Sequence, residues 1–222
     1  ELILSRLTDA YRKLRNTFRF TLGNMQDFDP AVDAVPASEL EEIDQWILYR
    51  AAALVDQCRA SYDELSFHRV YQAVYNFATT DLSAVYFDVL KDRLYTSAPK
   101  SKARRSAQTA LYRVHYALVR LAAPLLAFTT EEVWTHMRRP ADAPSSVHLS
   151  DIPLGAELTD GLPAEHGELS ANWDRMMELR GVVLKSLETA SAEKLIGAPL
   201  EAKVRVAAPA GVYPLLAKYQ DE

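Results

Sequence analysis

Only one cysteine, Cys58, occurs in the 222 residues, so the chain can form no internal disulfide, and Cys58 has no companion at the short spacings of a structural zinc site. A reducing, cytoplasmic setting is expected. Glycine is scarce, at 7 positions, and Gly-x-Gly-x-x-Gly, a Walker loop and Gly-x-Ser-x-Gly are all missing. Phosphate-cradling loops and a nucleophile elbow are thereby excluded. No uninterrupted apolar run reaches the roughly 18 residues of a membrane span, and the start has no charged region leading into a short apolar run and cleavage site. An initiator Met is lacking as well. Glu1-Leu2-Ile3-Leu4 already runs in helical rhythm, as expected of a start inside a longer protein.

Metal chemistry also lacks its signatures. A helical bundle with a di-iron centre needs paired Glu-x-x-His motifs facing inward, and none occurs. Glu64 and His68, like Glu132 and His136, stand four apart, but neither pair belongs to a His-Glu-x-x-His zinc motif. These groups are expected to make surface or helix-end contacts, and no metal site is expected. Cys58 falls in an apolar stripe, where a buried thiol is inert.

What the chain does have is apolar residues at helical spacing. Ile3, Leu7, Ala10, Leu14, Phe18 and Leu22 predict a first helix ending near Gly23-Asn24. Ser38 can cap a second, with Glu41 three residues on and Ile43, Ile47, Ala51, Leu54 and Cys58 as its stripe, running to about Leu65. Phe67, Val70, Tyr71, Val74, Phe77, Ala78, Val85 and Val89 predict a third, fading near Leu94-Tyr95. Ser101 opens a fourth that stops at Pro124, and a short fifth starts after Phe128 with Thr129 or Thr130 as cap. Residues 138–168 hold Pro140, Pro144, Pro153 and Pro163 and read as a strap. A sixth helix spans about Leu169 to Ala192, and the alternation Leu200, Ala202, Val204, Val206 suggests a strand.

The fold expected is all-α: an antiparallel helical bundle over 1–137, a proline-bearing strap over 138–168, and a C-terminal helix with a short strand appendage over 169–222. Two charged positions sit on apolar faces, Arg15 beside Tyr11, Phe18 and Leu22, and Asp81 beside Val74, Phe77, Ala78 and Val85. An unpaired buried charge is costly, so both are expected to be structural, paired with each other or with another buried partner.

Net charge is −5, which argues against a generic polycation, but the charge is unevenly distributed. Residues 91–120 carry eight basic groups (Lys91, Arg93, Lys100, Lys102, Arg104, Arg105, Arg113 and Arg120) against Asp92 alone, whereas residues 25–66 carry ten carboxylates against Arg50 and Arg59. This pattern predicts a molecule with one basic and one acidic side. The stretch from Lys91 to Arg105 surrounds a helix connection and suits phosphate, with Tyr95 and Tyr112 placed to stack on unpaired bases. It suits an ordinary solvated charge run equally well, with Tyr112 partly in the core.

Particular strings carry more. Tyr11-Arg12-Lys13-Leu14-Arg15-Asn16-Thr17-Phe18-Arg19-Phe20, continuing through Leu22-Gly23-Asn24-Met25 to Asp27-Phe28-Asp29-Pro30, resembles the first helix after the catalytic core of isoleucyl-tRNA synthetases. Phe67-His68-Arg69-Val70-Tyr71-Gln72, Asp81-Leu82-Ser83-Ala84, Lys91-Asp92-Arg93-Leu94-Tyr95 and Arg104-Arg105-Ser106-Ala107-Gln108-Thr109 resemble the same family in order and separation. Phe128-Thr129-Thr130-Glu131-Glu132-Val133-Trp134 is similar to an ending shared with the class I synthetases for Val, Leu and Met. Trp173 to Glu188 and Glu193-Lys194-Leu195-Ile196-Gly197 resemble the start of the small C-terminal region. Ser191 departs from the family pattern, which has arginine there, and so puts any RNA role of that turn in doubt.

The resemblance implies a class I anticodon-binding domain that grips isoleucine tRNA and performs no chemistry itself. ATP with magnesium would belong to the parent's catalytic domain before Glu1, and any zinc-binding tail would come after Glu222; this fragment would hold no cofactor. The partners implied are isoleucine tRNA and the parent's own catalytic domain, with no membrane and a monomeric chain. A scaffold docking mainly to other protein domains is the alternative. The residues expected at tRNA are Arg12 and Arg19 on the first helix together with Lys91, Arg93, Tyr95, Lys100, Lys102, Arg104, Arg105, Tyr112 and Arg113.

Overall fold

The three- and four-residue steps of apolar side chains fold into helices at nearly the places they predict. The computed structural model describes residues 2–198 and 201–219, without the side chains of residues 2 and 3. The helices are α1 (Leu2–Asn24), α2 (Glu42–Asp63), α3 (Phe67–Asn76), α4 (Phe87–Tyr95), α5 (Lys102–Ala122), α6 (Ala127–His136), α7 (Gly155–Thr159), α8 (Gly167–Ala192) and α9 (Tyr213–Lys218). A π-helical segment, Phe77–Tyr86, joins α3 to α4. The chain divides into two compact units, Glu1–Ala164 and Glu165–Glu222. Among the described residues there is no strand, and the first unit is an all-α bundle.

α5 is the centre of the first unit and lies against α1, α2, α4 and α6. It is buried almost all round, which a helix tolerates only if its polar side chains find partners inside. They do. Ser106 donates to Asp44 and accepts from the Glu41 amide, Gln108 donates to the Asn24 carbonyl and to Asp27, and Thr109 donates to the Arg105 carbonyl and accepts from the Val35 amide. Those bonds tie the 25–41 connection onto α5 and explain one departure from expectation. Ser38 does not cap α2: it sits in a single 3-10 turn, Ala37–Glu39, and α2 starts at Glu42 once Leu40 is buried and Glu41 is held by Ser106. Ser101 does cap α5, accepting from the Arg104 amide. α6 begins at Ala127, ahead of Thr129 and Thr130, and the Thr130 hydroxyl bonds back to the Leu126 carbonyl instead of capping.

The π segment changes which residues of the third helix face inward. A regular helix continues the stripe through Asp81, Val85 and Val89, but the wider π turn rotates the residues beyond it. Leu82, Tyr86, Leu90 and Leu94 are buried, while Val89 is exposed. Asp81 stays largely buried and pairs with Arg50 at 2.8 Å, a structural pairing of the kind expected. Arg15 is not its partner. Arg15 lies on the flank of α1, half exposed, 3.6 Å from Glu132. The expectation of an inward-facing Arg15 fails because Tyr11 and Leu22, its helical neighbours, border the core without belonging to it; the buried positions of α1 are Ala10, Leu14, Thr17, Phe18 and Thr21.

The proline-bearing strap is ordered by side chains that donate to its carbonyls. Trp134 and Arg139 bond Pro144, Arg59 bonds Ile152 and Pro153, Arg113 bonds Asp160, and Tyr49 bonds Pro163. Backbone that forms no ladder must be satisfied in this way or by water. Val147 and Leu158 anchor it to the core, Arg120 pairs with Glu157, and Gly155 lets α7 sit where any Cβ would strike the Asp56 carboxylate at 2.6 Å.

The second unit is described by itself. Trp173 of α8 packs against Tyr219 with ring centroids 5.2 Å apart, and Val212 is buried. α8 ends through Lys194 in a left-handed conformation, with the Leu195 amide bonded to the Ala190 carbonyl. Ser191 is exposed in that turn. The expected strand is absent at Ala202, Val204 and Val206, which carry no regular structure, and Leu200 lies outside the described residues. Alternation alone does not make a strand when no second strand is there to take its hydrogen bonds.

Candidate nucleic-acid interface

Folding brings the acidic and basic stretches together, so the predicted division into one basic and one acidic side is lost. Arg104 pairs with Asp27 at 3.1 Å and also bonds the Leu94 carbonyl. Arg105, buried and lying over the Phe28 ring, pairs with Asp33 at 3.3 Å and Asp27 at 3.6 Å and donates to the Gln108 side chain. Burial works against the Asp27 charge, but hydrogen bonds from Gln108 and Arg104 and the two arginine charges outweigh it and hold this carboxyl below its ordinary range. Lys102 pairs with Glu39 at 3.0 Å and Lys91 with Asp88 at 2.8 Å.

Arg93 is committed most deeply. Its guanidinium meets Asp44, which has no exposure at all, at 2.5 Å and also donates to the Ala103 carbonyl. Burial disfavours the Arg93 charge, and the Asp44 charge and hydrogen bond more than offset that, leaving its pKa raised. Arg113 spends a nitrogen on the Asp160 carbonyl, and burial lowers its pKa. Tyr112 is half-buried, stacked on Tyr116 at 6.0 Å, with its hydroxyl unpartnered among the described residues. Burial pushes that phenol up to about 12. Of the residues expected in this basic stretch, only Tyr95 and Lys100 stand exposed without an ion pair or hydrogen bond among the described residues.

The first helix differs. Opposite its buried stripe, Arg12, Asn16, Arg19 and Gly23 recur at steps of four, three and four and form an exposed ridge. Among the described residues Arg12 pairs only with Asp9, at 3.4 Å with both side chains in solvent, a pair worth little. Arg19 and Asn16 have no hydrogen bond or ion pair among the described residues. An arginine whose five donors are all unused is a ready phosphate ligand.

A hollow lies on each side of the ridge. Toward α6, one of about 600 Å³ is lined by Arg15, Arg19, Gly23, Gln26, Glu132 and His136, and it continues into a smaller one of about 240 Å³ that reaches Phe28, Tyr112 and Arg138. Toward α4, one of about 420 Å³ is lined by Asn16, Arg19, Phe20, Gly23, Asn24 and Tyr95. Phe20 is itself stacked on Phe87 at 4.2 Å, which fixes its ring. Arg19 and Gly23 border both.

Residues 44–206 match the family described as the anticodon-binding domain of tRNA ligase. This chain belongs to that family. The chain is similar to the isoleucine–tRNA ligase of Moorella thermoacetica, 44% identical over 223 residues that take in 100% of this chain and 23% of the relative. It is likewise similar to those of Symbiobacterium thermophilum, 46% identical over 213 residues (95% of this chain, 22% of the relative), and Desulforamulus reducens, 48% identical over 203 residues (91% and 21%). The chain thus spans less than a quarter of the length of these relatives. α1 precedes the family match, yet the Moorella alignment takes in the entire anticodon-binding domain chain, ridge included.

Of the residues on the ridge and in its flanking hollows, the sequence reading names Arg12, Arg19, Tyr95 and Tyr112 as RNA candidates and Arg15 as structural; it does not name Asn16, Phe20, Gly23, Gln26, His136 or Arg138 for such a role. A projection of α1 down its axis would have found Asn16 and Gly23, which share the face of Arg12 and Arg19. No local signal in the sequence places His136 and Arg138 beside them. Among the described residues no helix is long and apolar enough to cross a membrane.

Proposed function

We propose that this domain grips the anticodon arm of isoleucine tRNA along the α1 ridge and works as one monomeric, cytoplasmic part of an isoleucine–tRNA ligase. The observation that carries the reading is Arg19, a fully available guanidinium between two hollows, one of them walled by the aromatic rings of Phe20 and Tyr95. Phosphate contacts position an RNA, and unstacked bases are read by aromatic faces and by amide and imidazole edges. Arg12 and Arg19 serve the first task; Tyr95, Asn16, Gln26 and His136 serve the second. Lys100 adds charge at the adjoining connection. Arg93, Arg104 and Arg105 serve the fold, with Asp44, Asp27 and Asp33 as partners. Activation of isoleucine with ATP and magnesium falls to the catalytic domain of the parent chain, which this domain serves by holding its substrate.

The test is a titration with isoleucine tRNA and with an anticodon-swapped tRNA at two salt concentrations. Binding should fall with salt, and Arg19→Ala should lower the slope of log affinity against log salt by about one, the signature of one lost phosphate contact. Lys102→Ala, whose cation is paired to Glu39, should leave the slope unchanged. Equal slopes for all three proteins would remove the ridge from the interface.

A further inference from the structure

Gly23 lies inside α1, one residue before its end, and is exposed. Its backbone is not in the left-handed region, where only Gly161 among the glycines is found, and a Cβ built on it would meet nothing within 4 Å. The fold therefore has no steric or conformational need of glycine here. Glycine in a helix interior is unfavourable by roughly 1 kcal/mol relative to alanine, a cost that shrinks in the last turn, where Gly23 lies. An open, side-chain-free position on this face leaves room for a group from outside the chain.

Its surroundings say where. Gly23 lies one helical turn beyond Arg19 on the crest of the ridge, and these two residues alone line both the α6-side and the α4-side hollows. At every other crest position a long polar side chain, Arg12, Asn16 or Arg19, stands between the two flanks. At Gly23 the crest drops to bare backbone. Both hollows border the crest there, with the guanidinium of Arg19 one turn away and with Gln26 and His136 on one side and Asn24 and Tyr95 on the other.

Resting on the RNA-binding reading above, we propose that Gly23 is the point at which the bound strand crosses α1. The sugar-phosphate backbone lies directly on the helix at Gly23, Arg19 holds the phosphate at the crossing, and the nucleotides before and after it drop into opposite hollows. A close approach of two backbones is what the absence of Cβ permits. Gly23 is thus a positioning residue that fixes the register of the strand.

Stability and binding should respond in opposite directions to a side chain at this position. Gly23→Ala and Gly23→Gln should each melt at the same temperature as the parent chain or above it, followed by circular dichroism. Affinity for isoleucine tRNA should fall slightly for Gly23→Ala and about tenfold or more for Gly23→Gln, a loss of at least about 1.4 kcal/mol. The Gly23→Gln salt slope should fall too, since displacement of the strand also costs the Arg19 contact. Parent-like affinity for Gly23→Gln, with the parent chain binding in a salt-dependent way, would overturn this crossing while leaving the RNA reading intact. Absence of any salt-dependent binding by the parent chain would overturn both.

Discussion

Asp44→Ala is expected to cost the fold about 3–5 kcal/mol, a large share of what holds an ordinary domain together. Asp44 is fully buried at the start of α2, yet all its capacity is used: Tyr86 donates at 2.7 Å, Ser106 at 2.5 Å, and Arg93 supplies the countercharge at 2.5 Å. Those partners come from the π segment, α5 and α4, so one carboxylate joins four elements. Removal leaves the mostly buried Arg93 cation with only the Ala103 carbonyl and strips Tyr86 of its acceptor. The cost arises from groups left unsatisfied more than from the net worth of the pair. Urea unfolding checks this directly, and a second variant makes the reasoning sharper. Asp44→Leu combined with Arg93→Leu should cost less than the sum of the two single changes, because the double variant leaves no orphaned charge. Additive losses, or an Asp44→Ala midpoint equal to the parent's, would contradict it.

Mild acid should destabilise the chain through His115. This residue is buried on α5, its Nδ1 2.6 Å from the Thr21 hydroxyl, its ring edge-on to Phe18, and its Nε2 without a partner among the described residues. The Thr21 hydroxyl also lies 2.9 Å from the Phe18 carbonyl, and with its proton given there the histidine carries its own on Nδ1 and leaves Nε2 bare. Protonation would put a second N–H and a charge where nothing accepts them. Burial accordingly lowers the pKa from 6.5 to about 3. Proton linkage gives the sign: below pH 6.5 the unfolded chain takes up a proton that the folded chain refuses, so the stability is complete above 6.5 and is lost as pH falls toward 3. Between pH 6.5 and about 5 the loss should approach about 2 kcal/mol, before carboxylates contribute. His115→Leu should flatten that slope in urea unfolding series. An unchanged slope would mean that the imidazole is already protonated inside the fold.

The helices were legible because their apolar residues recur at the helical period over many turns, and that signal holds wherever one face is buried. It misled where the period itself changes. The π segment left Val89 exposed and turned Leu82, Tyr86 and Leu90 inward, and nothing in the composition of Phe77–Tyr86 marks a wider turn. The strand expected after α8 shows the converse, since alternation is a property of one segment and a strand needs two. The charge runs were read correctly as sequence and misread as surface. Residues 27–44 and 93–105 are far apart in the chain, and only the packing of the 25–41 connection on α5 reveals that they neutralise each other. The cations left without ion pair or hydrogen bond among the described residues include Arg19 of α1, whose neighbour Arg15 faces Glu132. Arg12, Arg19 and Tyr95 can be named as candidates from the sequence, whereas the placement of His136 and Arg138 depends on how α6 is laid beside α1.

The most direct test of the ridge is amide NMR of the labelled chain titrated with the anticodon stem-loop of isoleucine tRNA at low salt. Shifts should concentrate at residues 12–26, at Tyr95 and at His136, with the amides of Lys102 to Arg105 little changed. Shifts confined to Lys102–Arg113, or to the strap, with the α1 ridge unmoved, would contradict the placement of RNA on that helix.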